Sequence, residues 1–79
     1  MHGYSYEFVK KVRALANVVP APIGVKLGLK AVERGIPIRY IAETLGVSRM
    51  AVYSWFTGKY TPEHTKLQQL KQLLSGKTK

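Results

Sequence analysis

The stretch that decides the fold is IAETLGVSRMAVYSWFTGKYTP, residues 41–62. It has the pattern of two short helices that meet at Gly46, because glycine readily adopts the positive φ that ends a helix. Ser48 follows as a predicted N-cap, whose hydroxyl can accept a backbone N–H of the next helix. The pattern therefore predicts a helix that ends before Gly46, a short turn, and a second helix over residues 48–57.

The second of these helices is predicted to have two different faces. Val52, Trp55 and Phe56 recur at helical spacing, so they form its buried stripe, and the offset of Trp55 from Val52 places the indole inside. The remaining side chains are mostly polar and are expected to face outward: Arg49, Met50, Tyr53, Ser54 and Thr57. The question is which partner such a surface contacts.

Apolar spacing predicts two helices before this pair. The first covers about residues 5–17 with Ser5 as N-cap, and its apolar positions are Phe8, Val9, Val12, Leu15, Ala16 and also Val19. The second covers residues 23–34 and ends at Gly35, with Val25, Leu29 and Val32 as its apolar stripe and with Leu27 and Ala31 beside that stripe. Gly24 and Gly28 share one face of it, and two interpretations stay open: either another element packs closely on that strip of backbone, or the first turn is frayed.

Two further predictions complete the secondary structure. Pro37 stands at or near the first position of the helix before Gly46, whose inward residues are Ile38, Ile41, Ala42 and Leu45. The last helix is expected to begin with Thr61 as cap and Pro62 in first position. Its apolar face is Leu67, Leu70, Leu73 and Leu74.

These elements predict one all-α domain over residues 1–79, a compact bundle of about five short helices that contains a helix-turn-helix. Residues 5–17 form an extra N-terminal helix, residues 23–75 form the core, and residues 76–79 form a basic tail that is expected to fray. No strand, repeat or internal linker is expected.

The charge of the chain narrows the choice of partner. Thirteen Lys and Arg residues stand against four Glu, which gives a net charge of +9 and a pI near 10.1. Such an excess favours a polyanion, above all nucleic acid. The chain has no cysteine, so disulfides and thiolate metal sites are excluded. It also has no apolar run of membrane-spanning length, and a cytoplasmic location is expected.

At this point the chain resembles the phage repressor and Cro-type helix-turn-helix family, over about residues 24–74. The motifs that carry the resemblance are an Ala followed by Leu-Gly-Val-Ser, then a Val and a Trp, and then GKYTP before a leucine helix. The resemblance implies that helix 48–57 enters the major groove of double-stranded DNA. It places base contacts at Ser48, Arg49, Met50, Tyr53, Ser54 and Thr57, and phosphate contacts at Arg39, Lys59 and Tyr60.

Residue chemistry agrees with those roles, since Arg bonds guanine bidentately, Ser and Thr bond base edges or phosphate, and Met or Tyr can contact a thymine methyl. The chain also departs from the family pattern. Ile38 stands where many members have Gln, and Phe56 stands where a Glu often follows the Trp. The family commonly continues into a further helix used for dimerisation, and we expect residues 5–17 to take over part of that packing role.

Other functions are weaker predictions. His2 and His64 have no carboxylate, metal-ligand or nucleophile constellation around them, so we expect neither an enzyme nor a cofactor, metal or small-molecule substrate. A protein-binding module, such as an antitoxin-like protein or a phage-encoded inhibitor, stays open, with the leucine helix as its possible surface. RNA binding is disfavoured because the deep, narrow major groove of RNA does not accept a helix.

The sequence therefore predicts a sequence-specific regulator of transcription, of phage or mobile-element type, located at the nucleoid of a bacterial or phage-infected cell. One such helix makes few base contacts, whereas specific sites usually require a Kd of about 10⁻⁸ M or lower. We therefore expect a two-fold homodimer on a palindromic or near-palindromic site, with half-sites about 34 Å apart or a multiple of that. Binding as a monomer, or together with a partner domain on another chain, stays open.

Overall fold

Five α-helices and no strand make up residues 4–75, which are the residues that the computed structural model describes. The helices are α1 (Tyr6–Ala16), α2 (Ile23–Arg34), α3 (Ile38–Leu45), α4 (Arg49–Phe56) and α5 (His64–Leu74). The all-α bundle expected from the sequence is confirmed. His2 and the basic tail 76–79 lie outside the described residues. Among the described helices, none is both long and apolar enough to cross a membrane.

Helix α2 lies at the centre of the bundle. It packs against α1, α4 and α5, and α3 packs against α4 and α5. Most of the buried side chains of α2 to α5 form one core, which consists of Leu27, Ala31, Ile38, Ile41, Ala42, Leu45, Val52, Trp55, Phe56, Leu70 and Leu74. The four inward residues predicted for α3 and the three predicted for α4 all belong to it. The leucine face of α5 is therefore part of the core, with Leu67 and Leu73 packed at its margin.

The helix ends confirm most of the boundary predictions. The Ser5 hydroxyl accepts the Phe8 N–H at 3.1 Å, and the Ser48 hydroxyl accepts the Ala51 N–H at the same distance, so both serines are N-caps. Gly35 and Gly46 end α2 and α3 with φ values of 69° and 72°. These positive φ values are conformations that residues with a Cβ rarely adopt.

Three predictions of detail are wrong. Helix α5 begins at His64 with Glu63 at the N-cap, two residues later than expected, because Pro62 is buried in the connection and Thr61 caps nothing. Val19 is 89% exposed, since the chain leaves α1 after Ala16. Leu29 is only half-buried, because the face of α2 that meets the bundle is centred on Gly24, Gly28 and their neighbours.

The two glycines of α2 settle the alternative that the sequence leaves open. A Cβ on Gly24 would collide with the backbone carbonyl of Trp55, and a Cβ on Gly28 would lie 2.7 Å from Cγ of Phe56. Both glycines are buried in a regular helix. The strip of backbone is therefore the surface on which α4 packs, and the first turn of α2 is not frayed.

Two basic side chains bond the C-terminal ends of other helices. The Lys66 ammonium donates to the Leu45 carbonyl at 2.7 Å, which joins α5 to the end of α3. The Arg34 guanidinium donates to the Leu74 carbonyl at 3.2 Å, which joins α2 to the end of α5. Carbonyls in the last turn of a helix lack intrahelical partners and carry a partial negative charge, so cations stabilise them. These two residues contribute to packing between helices.

Replacement of Gly28 by Ala tests the contact between α2 and α4. Alanine favours a helix over glycine by about 1 kcal/mol, but the added methyl meets the buried base of the Phe56 ring, and overpacking costs about 1 to 3 kcal/mol. We expect a lower free energy of unfolding in urea than that of the wild type. Lys30→Ala, at an exposed position of the same helix, is the control and should change stability little. A Gly28→Ala protein more stable than the wild type would contradict the close packing.

Candidate nucleic-acid interface

Helices α3 and α4 are joined by only three residues, Gly46, Val47 and Ser48. The Val47 N–H donates to the Ala42 carbonyl at 3.0 Å, which closes the turn on the end of α3. Ala42 itself is buried, and its small side chain suits a position at which two helices approach closely. The local sequence therefore fixes α4 against α3 through a short turn and through the core.

The inward face of α4 is held on two sides. Val52 and Phe56 are fully buried and Trp55 is 7% exposed, so the prediction that Trp55 is a core residue is confirmed. These three side chains lie in the core that α4 shares with α2 and α3. An eight-residue helix with this much of its surface packed presents its other face in a fixed orientation.

The outward face of α4 begins with three exposed side chains. Arg49 lies in the first turn, Met50 is 73% exposed, and Tyr53 is 43% exposed. Ser48 is exposed as well, but its oxygen already accepts the Ala51 N–H, which leaves the hydroxyl proton for a further partner. The structure thus brings together four of the six residues for which the sequence predicts base contacts.

The other two, Ser54 and Thr57, are half-buried at the far end of α4. The Thr57 hydroxyl donates to the Tyr53 carbonyl at 2.8 Å. The Ser54 carbonyl accepts the N–H groups of Lys59 and Tyr60, at 2.9 and 3.2 Å, so the chain after the helix folds back toward Ser54. The local hydrogen bonds of these two residues close the end of the helix.

The three residues with predicted phosphate contacts lie on two elements. Lys59 and Tyr60 are exposed in the turn that follows α4, immediately after Gly58 with its φ of 78°. Arg39 is exposed in the first turn of α3, where its Nε lies 4.0 Å from Oε2 of Glu43. Ion pairs between exposed side chains are weak and screened by salt, so Arg39 can exchange this partner for another anion at little cost.

The electrostatics of the surface follow from where the acids lie. From Arg49 to Tyr60 the chain has two basic residues and no acidic residue. The four Glu are at the start of α1, in α2, in α3 beside Arg39, and at the N-cap of α5. The outward face of α4 and the turn that follows it therefore have two positive charges, at Arg49 and Lys59, and no carboxylate of their own.

Helix α1 reaches this surface through Phe8. The Phe8 ring packs edge-on against the Tyr53 ring, with centroids 5.2 Å apart and planes at 89°. Tyr4 stacks on Phe8 at 5.6 Å, and its hydroxyl donates to the Ile36 carbonyl at 2.6 Å. We call Tyr4, Phe8 and Tyr53 the aromatic cluster. Within this cluster the Phe8 ring covers part of Tyr53, while Arg49 and Met50 stay exposed. Helix α1 therefore does not cover the outward face of α4 as a whole.

Sequence reasoning missed the aromatic cluster. The apolar spacing of α1 places Phe8 on a buried face, but nothing local indicates that the ring meets α4. Tyr4 precedes α1, and the sequence pattern predicted no role for it. The only available signal was the presence of two aromatic residues, Tyr4 and Phe8, at helical spacing near the start of α1.

Comparison of the chain with models of protein families, with curated proteins and with solved structures finds no match in any of the three. Membership of the repressor and Cro-type family therefore stays a prediction from the sequence. Within residues 4–75, no group of three or more His, Cys, Asp or Glu side chains is arranged to hold a metal ion.

Replacement of Tyr4 by Phe tests the hydrogen bond that anchors the aromatic cluster. Burial, and secondarily the nearby Tyr53, raise the pKa of the Tyr4 hydroxyl above its ordinary value. A raised pKa stabilises the folded protein fully below the ordinary tyrosine pKa, and this contribution is lost as the pH rises above it. At pH 7 Tyr4→Phe should lower the free energy of unfolding by about 0.5 to 1.5 kcal/mol.

Because the variant has no hydroxyl to titrate at this position, the wild type should lose its advantage above about pH 10, the ordinary tyrosine value. Urea denaturation of both proteins at pH 7, 9 and 11 gives the comparison. The alkaline titration of the lysines is common to both proteins and cancels in the difference. A difference that stays constant from pH 7 to 11 would contradict the assignment.

Proposed function

We propose that this protein binds double-stranded DNA sequence-specifically through a helix-turn-helix formed by α3 and α4, and that it regulates transcription by occupying its site. The observation that supports this most is the outward face of α4, which is exposed, basic and free of carboxylates, on a helix held rigidly by Val52, Trp55 and Phe56. A basic, rigid helix face is what insertion into the major groove requires.

The dimensions of α4 suit this role. Eight residues make a helix about 12 Å long. A helix with its side chains is about 10–12 Å in diameter, close to the width of the major groove of about 12 Å. With the start of α4 in the groove, Arg49 is positioned for guanine O6 and N7, and Met50 for the methyl group of a thymine.

We assign the remaining residues by their positions. Ser48 and Tyr53 accompany Arg49 and Met50 at base edges, whereas Ser54 and Thr57 lie at the margin of the contact. Arg39, Lys59 and Tyr60 contact phosphates on either side of the groove and set the docking angle. Arg39 leaves Glu43 for a phosphate when DNA binds.

We also propose that two copies bind one site. The Cα atoms extend 30 × 29 × 24 Å, slightly less than the roughly 34 Å that separates successive major grooves on one side of a duplex. Two copies on adjacent half-sites therefore lie side by side with their surfaces close enough to touch. A protein of this kind acts at the nucleoid of a bacterial or phage-infected cell, as a regulator of phage or mobile-element genes.

Selection of bound duplexes from a random double-stranded pool tests the proposal. The wild type should enrich one motif with two-fold symmetry. Arg49→Ala should lose preference at one base position per half-site, by about 1 to 3 kcal/mol. Lys30→Ala removes the same charge from the exposed side of α2, and it should enrich the wild-type motif.

Two results would contradict the proposal. Enrichment of no motif by the wild type would leave only the general attraction of a basic protein for DNA. Equal effects of Arg49→Ala and Lys30→Ala would show that charge acts without regard to its place on the surface.

Lys59→Ala separates phosphate contact from base contact. Loss of one phosphate contact should weaken binding to all sequences about equally and should reduce the slope of log K against log salt by about one. Titrations of a specific and an unrelated duplex at several salt concentrations measure both quantities. If the variant weakened only the specific duplex, Lys59 would belong with the base contacts.

A second candidate function is the binding of an acidic protein by the same face. Tyr53 and Tyr60 are 43% and 64% exposed, and tyrosine, methionine and arginine are enriched at protein interfaces. The surface considered for this role from the sequence, the leucine face of α5, is not available because Leu70 and Leu74 are fully buried. A wild type that enriches no motif and whose binding to duplex DNA shows no steep salt dependence would favour this second function.

A further inference from the structure

The side chain of Tyr53 is restrained more than an outward position on a helix requires. Its ring meets the edge-on Phe8 ring at 5.2 Å, and its exposure is 43%, against 73% for Met50 on the same helix. An exposed tyrosine without such a neighbour exchanges between rotamers on the picosecond to nanosecond timescale. The contact with Phe8 selects one orientation, in which the uncovered part of the ring faces outward.

Phe8 is itself held from two directions. Its backbone N–H donates to the Ser5 hydroxyl at 3.1 Å, which fixes the first turn of α1, and its ring stacks on Tyr4 at 5.6 Å. The Tyr4 hydroxyl donates to the carbonyl of Ile36, in the short connection between α2 and α3. The aromatic cluster thus joins the start of α1, the entrance to α3 and the outward face of α4.

We propose that Phe8 and Tyr4 are positioning residues for Tyr53, and that α1 thereby determines part of the base preference of α4. Neither residue contacts DNA in this arrangement. They hold the Tyr53 ring in one rotamer, so that its hydroxyl meets the duplex in a fixed place and less side-chain entropy is lost on binding. This inference rests on the proposed function.

The experiment compares base preferences by selection from a random duplex pool. Tyr53→Ala identifies the base position that Tyr53 influences. Phe8→Ala should reduce preference at the same position by about two- to tenfold, the range to which one aromatic pair corresponds. It should leave affinity for unrelated duplexes unchanged. Phe8→Tyr keeps the ring and should restore the wild-type preference.

Two variants separate positioning from general stability. Leu15→Ala removes a half-buried side chain from the same helix about two turns away, so it loosens α1 without removing the ring beside Tyr53. It should keep the wild-type preference. Phe8→Leu keeps apolar packing on the core but lacks an aromatic ring, and it serves as the test if Phe8→Ala does not fold.

A second measurement needs no DNA. The Phe8 ring should shift the Tyr53 ring resonances in NMR spectra of the free protein, with Tyr53→Phe for assignment. In Phe8→Ala these resonances should move toward the values of an exposed tyrosine. Unchanged resonances would show that the rings do not meet, and would overturn the inference whatever DNA the protein binds.

The selection results distinguish failure of the positioning role from failure of the proposed function. A wild-type motif that Phe8→Ala retains in full would overturn the positioning role and leave the proposed function standing. A wild type that enriches no motif would overturn the proposed function and this inference with it. If Leu15→Ala lost as much base preference as Phe8→Ala, α1 would act only by stabilising the fold, and the positioning role would be overturned.

Discussion

The close approach of α4 to the glycine strip of α2 is the contact on which the rest of the structure depends. Without side chains at Gly24 and Gly28, the Trp55 carbonyl and the Phe56 ring lie directly against the backbone of α2. The glycines lower the intrinsic helix stability of α2 by about 1 kcal/mol each. The core formed on that strip offsets this cost, because Phe56 is fully buried there and the neighbouring Trp55 is nearly so.

This contact connects stability with the proposed function. The same helix that fills the core with Val52, Trp55 and Phe56 presents Arg49 and Met50 to solvent. A shift of α4 relative to α2 would therefore move the exposed residues by the same amount. The short turn through Gly46 and the aromatic cluster hold α4 at two other places, so its position is determined from three directions.

The parts of the structure that depend on local chemistry were predictable from the sequence. The caps Ser5 and Ser48 and the helix end at Gly46 follow from hydrogen bonding and positive φ within a few residues, and the buried stripe of α4 follows from helical spacing. The start of α5 was not predictable from the sequence, because burial of Pro62 in the connection depends on the assembled core.

Contacts between segments that are distant along the chain could not be predicted from the sequence either. The packing partner of the glycine strip could not be inferred from α2 alone. The bond from Tyr4 to Ile36 spans 32 positions, and its formation depends on how α1 lies on α2. For the candidate site, the residue types on α4 were foreseeable, but the restraint of Tyr53 and the engagement of Thr57 in closing its helix were not.

The cross-helix bonds of Lys66 and Arg34 have a consequence for the proposed contact with a polyanion. The formal net charge of +9 counts every cation equally, yet the side chains of Lys66 and Arg34 are hydrogen-bonded to the carbonyls of Leu45 and Leu74. A ligand that drew either side chain away from its carbonyl would leave the end of a helix without that bond and would loosen the bundle. They add to the long-range positive potential of the molecule while they stay bonded at these helix ends, so more residues attract a polyanion from a distance than are proposed to contact it.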